Sequence, residues 1–252
     1  MQNFTTPDNF NILRTLVETL LPDNTDPVEQ RVRRIWKAIE NIVRKSQQTV
    51  QHTGQAIRVE AVRFEKKQTP YRPLQAYMDA DSIAKHVQPW QQILAFIART
   101  QVPQKRKCPV YGMTPQQRKK WRRLWQATLD PVVSQHSVDK EVDTNMDEDT
   151  DNNTENSIRQ WQISKIEQAC LAFCIELLNQ TYHAQEYENM LICTIAVVEY
   201  GKFGWRDPES YPPILSRVIK VARFMVVQQV LWLDPDILQI IKTWQQPQRC
   251  AE

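Results

Sequence analysis

Four glycines in 252 residues constrain this chain more than any other feature. Glycine supplies the positive-φ positions of close hairpin turns, so a chain this poor in it does not suit a turn-rich β-sandwich or barrel. Long helices need few such positions. Gly54 and Gly201 fall where an apolar period stops, as helix-ending residues do.

The apolar spacing agrees. Apolar residues three and four apart predict a helix from Pro7 to about Leu21, ended by Pro22-Asp23-Asn24. A longer one runs from Pro27 to about His52 on Val28, Val32, Ile35, Trp36, Ile39, Ile42, Val43 and Val50. Its opposite face carries Arg31, Arg33, Arg34, Lys37, Arg44 and Lys45, readable as plain solvated surface or as a basic binding face. Residues 55–67 fit a short helix or an extended segment, and Pro70 and Pro73 mark a loop. Asp81 to Arg99 reads as a helical unit whose main helix starts near Pro89, with Trp90, Ile93, Leu94, Phe96 and Ile97 inward. Ile158 to Tyr182 and Gln185 to Val198 are further helices.

The stretch Met190–Leu233 holds two apolar helical segments around a Gly-Trp turn, and the other helices are expected to pack on this pair. Its second helix starts near Tyr211–Pro213, with Ile214, Leu215, Val218, Ile219, Ala222, Met225, Val226 and Gln229 as its stripe. A short last helix starts at Asp234-Pro235. The expected fold is all-α: a multi-helix bundle in two lobes with a disordered acidic insertion. The lobes are residues 1–130 and 158–252, separated by a linker over 131–157.

The apolar run after Met190 is too short to span a bilayer, and Lys220 and Arg223 interrupt the next one, so no membrane role is expected. The residues after Met1 lack the basic cluster of a signal peptide. Five irregularly spaced cysteines fit a reducing compartment. Together these predict a soluble intracellular protein.

A net charge of +3 conceals a separation of sign. Arg99 to Arg123 carries nine Lys or Arg residues and no acid, whereas Asp139 to Glu155 is acidic, rich in Asn and nearly free of apolar side chains. The acidic stretch cannot bury enough surface to offset its ordering. Thr114-Pro115 is a helix start, N-cap then proline. The turns after it place Arg118, Lys119, Lys120, Arg122 and Arg123 around Trp121, Leu124 and Trp125. Clustered cations bind nucleic acid by displacing condensed counterions from its phosphates, and interleaved rings can stack on bases. The candidate nucleic-acid-binding set is therefore Lys105, Arg106, Lys107, Arg118, Lys119, Lys120, Trp121, Arg122 and Arg123. Three other readings stand beside it: a solvated helix, an intramolecular partner for the acidic tract, and a nuclear-import signal in KRK and RKKWRR.

No catalytic set is assembled. The chain has no Walker sequence, Gly-x-Ser-x-Gly elbow, dinucleotide glycine fingerprint or HExxH. Cys170, Cys174 and Cys193 lack the paired knuckles of zinc modules and read as core thiols. Neither metal nor cofactor is expected.

The apolar helix, the Gly-Trp turn, Tyr-x-Pro-x-Leu-Ser and Ile-Lys-x-Ala-Arg-x-Met-Val-x-Gln between Met190 and Gln229 resemble a segment of fungal reading frames similar to subtelomeric RecQ-like helicases and related mobile-element proteins. PWQQILAFIARTQ, YGMTPQQ and CLAFCIELLNQ fit the same layout, so the resemblance covers about Ala38 to Gln229. It implies an accessory helical region of a DNA-acting element, and the expected location is intracellular and nuclear. The motor is missing, with no Walker lysine and no acidic ATPase box. The expected function is a non-catalytic nucleic-acid-associated module. The alternative is a helical protein-interaction scaffold.

Overall fold

The structure, a computed structural model, describes residues 15–17, 26–63, 65, 67, 70, 72–101, 112–129, 163–179, 189–198 and 212–233. Helices account for 81% of these and no strand occurs among them, so the chain is all-α as its glycine scarcity predicts. Several expectations lie outside the described residues: most of the Pro7–Leu21 helix, Lys105, Arg106 and Lys107, the acidic tract, the Gly-Trp turn and the helix after Asp234.

Helix α1 (Pro27–His52) starts where expected, with the Asp26 carboxylate accepting from the Val28 N–H at 2.9 Å and proline at the first position. Gly54 caps the short helix α2 (Gln55–Glu60), so the first six residues of that ambiguous stretch are helical. Helix α3 (Ala80–Gln101) runs unbroken through Pro89, contrary to the expected start there. An internal proline removes one backbone hydrogen bond and costs about 3 kcal/mol. Here the flanking turns bury Val87, Trp90, Ile93, Leu94, Phe96 and Ile97, each contributing roughly 1.5–3 kcal/mol, so packing outweighs the local penalty.

Helix α4 (Pro115–Ala127) follows Thr114. Helix α5 (Lys165–Leu178) begins later than the apolar period suggested, at a capping box between Ser164 and Glu167. Asn189 caps α6 (Met190–Val198), its Oδ1 accepting from Leu191 N at 2.8 Å. Helix α7 (Pro212–Leu233) opens on its two prolines. No helix among the described residues is long and apolar enough to cross a membrane.

The organising element is α1, not the Met190–Leu233 pair. Helix α1 packs on α3, α5 and α7, while α6 lies chiefly against α3. The expected lobes share one core. Val32 and Ile39 of α1, Trp90 and Ile93 of α3, Leu124 of α4, Phe173 of α5 and Phe224 of α7 belong to a single apolar cluster. Trp90 also donates its indole N–H to the Val218 carbonyl at 3.2 Å.

Helix α7 is rotated from its expected phase. Val218, Ala222 and Met225 of the expected stripe are buried, together with Val221, Phe224, Val227 and Leu231 outside it, whereas Leu215, Ile219 and Val226 of that stripe are exposed. The helix is apolar around most of its circumference, so periodicity alone does not select an inward face.

Candidate nucleic-acid interface

The basic helix α4 is held from beneath. Thr114 Oγ1 accepts from Gln117 N while Gln117 Oε1 accepts from Thr114 N, both at 3.1 Å, which ties the first turn. Gln117 Nε2 reaches on to the Glu176 carbonyl of α5 at 3.4 Å. Gln117, Trp121, Leu124 and Thr128 recur at three- and four-residue steps and are all buried, so they form the inward face. Helix α4 packs through this face on α5.

The opposite face is cationic. Arg118, Lys119, Arg122 and Arg123, with Pro115 and Gln126, line an open concavity on the outer side of α4. All four cations are exposed and Lys120 is half-buried at the flank. None of the five pairs with a carboxylate among the described residues. Steps of three and four residues put these side chains one turn apart, so the stripe is a short row of positive charge on a rigid backbone.

Trp121 departs from the expected set. It is only 7% exposed, with its ring 5.3 Å from Phe173 and stacked on Trp125 at 5.5 Å between centroids. A ring in this position has no free face for a base, because the hydrophobic gain of burial is already taken by the protein. Trp125 is half-buried, and the Arg31 guanidinium lies 4.6 Å from its centroid. Helix α4 thus presents an exposed cationic face whose inner side is held by aromatic packing.

Two features were missed in the sequence. Arg34 of α1 donates from Nη1 to the Thr128 carbonyl at 2.6 Å, closing the C-terminal end of α4. Nothing in the spacing of residues 94 positions apart announces this contact. The second was legible: Ser164-x-x-Glu167 is a capping-box pattern ahead of an apolar run. Glu167 also accepts from Lys45 Nζ at 2.7 Å and Asn41 Nδ2 at 2.9 Å, tying α5 to α1. Burial raises the Glu167 carboxyl pKa. The Lys45, Ser164 and Asn41 hydrogen bonds, with the Lys45 charge, outweigh it and leave the pKa below the ordinary value.

Cys170 and Cys174 lie in the core one turn apart on α5, and burial, then the neighbouring Cys170, pushes the Cys174 thiol well above its usual range. Among the described residues no three His, Cys, Asp or Glu side chains are grouped to hold a metal. Comparison with protein-family models, curated proteins and solved structures finds no match.

Proposed function

We propose that the chain is a non-catalytic, nucleic-acid-associated helical module that contacts phosphates through Arg118, Lys119, Arg122 and Arg123 of α4. The observation that carries this reading is the absence of carboxylate partners for that exposed row among the described residues, on a helix whose other face is locked into the core. Helices with paired charges neutralise themselves, whereas an uncompensated row retains a potential that attracts polyanions. Lys120 adds charge at the flank, and Trp121 acts by holding the helix in place. The residue pattern between Met190 and Gln229 resembles the accessory region of RecQ-like helicases and mobile-element proteins, which supports this reading. A nuclear location follows from the same reading.

The test is binding of the full chain to short duplex DNA and to RNA across a salt series. Affinity is expected to fall steeply with salt, and reversal of Lys119, Arg122 and Arg123 to Glu to weaken binding for all sequences alike. Salt-independent binding, or none at low salt, overturns the proposal.

A second reading, a protein-interaction scaffold, draws on the exposed apolar side chains Leu215, Ile219, Val226 and Val230 along α7. A protein partner retained after nuclease treatment, and lost in Ile219→Glu, would favour it.

A further inference from the structure

We infer that the polyanion taken by α4 is a nucleic-acid duplex, gripped through its phosphates, rather than a single strand held by its bases. This rests on the proposed role of α4 and names its ligand class. Proteins that hold single strands combine a basic groove with exposed aromatic rings on which successive bases stack. On α4 both rings are already engaged. Trp121 is buried against Phe173, with ring centroids 5.3 Å apart. Trp125 stacks on Trp121 at 5.5 Å, and the Arg31 guanidinium lies over its ring at 4.6 Å. The exposed aromatic ring among the described residues is Tyr77. Gln47 of α1 donates to the Ala76 and Met78 carbonyls on either side of it, and Gln47 lies about 24 Å along α1 from Arg31. A base on Tyr77 is therefore remote from a phosphate on α4.

What α4 offers instead is cations on a fixed backbone. Arg118 and Arg122 form one row, Lys119 and Arg123 a second. Each row spans about 6 Å along the axis, and the two lie about 100° apart around the helix. The capping box of Thr114 and Gln117 and the buried side chains of Trp121 and Leu124 hold the backbone beneath them. A duplex presents phosphates on two strands, at one charge per about 1.7 Å of axis, twice the density of either strand along that axis. It is also stiff over far more than the length of α4. Two stiff arrays of charge meet with little ordering penalty. A flexible strand has to be ordered on binding and gains no stacking on α4 in return.

The experiment titrates the full chain against a short DNA duplex, one of its single strands and an RNA duplex of the same sequence, across a salt series. Four phosphate contacts should give a slope of log affinity against log salt of about −3.6 on duplex DNA and about −2.8 on the single strand. The same relation gives the duplex a roughly tenfold advantage at low salt. An advantage of either duplex over the single strand upholds the inference, and comparing the two duplexes shows which backbone geometry the rows fit. A single strand that binds as tightly as both duplexes, or more tightly, overturns it and leaves the proposed function standing. Tyr77→Ala and Trp125→Leu should both keep the parental ratio of duplex to single-strand affinity, even where Trp125→Leu lowers the two together by loosening α4. A selective loss of single-strand binding in either variant would mean that bases stack on that ring, and overturns the inference as well. Arg122→Gln combined with Arg123→Gln should reduce the duplex slope by about two. If that slope stays parental, or if neither duplex nor single strand binds at low salt, the α4 row is no phosphate site and the proposed function fails with the inference.

Discussion

Glu29 and Arg99 form a buried two-point ion pair between the first turn of α1 and the last turn of α3, Nε to Oε1 at 2.7 Å and Nη2 to Oε2 at 2.9 Å. The third arm, Nη1, donates to the Leu16 carbonyl at 2.7 Å. Both side chains are almost fully buried, so neither charge can fall back on water. The helical turn over 15–17 is thereby tied to the α1–α3 junction, beside a small apolar cluster of Leu16, Val17, Phe96 and Val197.

Glu29→Leu should therefore destabilise the protein by about 3–5 kcal/mol, because it removes the carboxylate that pairs with a buried guanidinium. Replacing both partners, Glu29→Leu with Arg99→Met, should cost less than Glu29→Leu alone, since no unpaired charge remains. Urea unfolding of the single and double variants checks both. A double variant worse than the single would mean the Leu16 contact dominates.

Trp121→Ala should lower stability by about 3–5 kcal/mol, the usual range for an aromatic deleted from a core. Arg122→Ala and Arg123→Ala should stay within about 0.5 kcal/mol of the parent, because both side chains are exposed. Thermal melts of the three, run beside binding assays, separate the helix that holds the site from the residues that compose it. If Trp121→Ala melted like the parent, the packing role assigned to that ring would be wrong.

Acid should loosen the α1–α5 contact through Glu167. Its pKa in the folded protein is depressed below the ordinary 4.5, so its ionised form contributes stability that is fully present above that value. That contribution is lost as pH falls from 4.5 through the depressed folded pKa. Glu167→Gln should accordingly be less stable at neutral pH, with the difference from the parent shrinking on acidification. Urea midpoints at several pH values measure it, and a constant difference would remove Glu167 from the acid response.

The rotation of α7 makes a separate prediction. Phe224 is fully buried, so Phe224→Ala should cost about 3–5 kcal/mol. Ile219→Lys and Val226→Lys, on the exposed face, should change stability by no more than about 0.5 kcal/mol. The opposite ranking would restore the phase that the spacing suggested.

Much of the site was legible before any tertiary contact. Thr114-Pro115 marked the start of α4, and the run Arg118 to Arg123 marked its charge. Trp121 was the ambiguous member, since an indole amid cations suits either a base or a core. Only the position of Phe173 on α5 decides for the core. The junction with α1 was not legible, because Arg31 and Arg34 are separated from Trp125 and Thr128 by the whole of α2 and α3.

The sequence by itself determined the class and the starts of α1, α4 and α7. Apolar spacing at three and four residues and the start signals at Pro27, Thr114 and Pro212 act within a few residues of chain, where local geometry is decided. Tertiary structure decided which helix lies at the centre, how α7 is turned, and that α3 runs through Pro89. Each of these depends on which surfaces meet, and a helix with apolar residues on several sides, such as α7, satisfies its own periodicity in more than one orientation. Only the partners that bury it distinguish them.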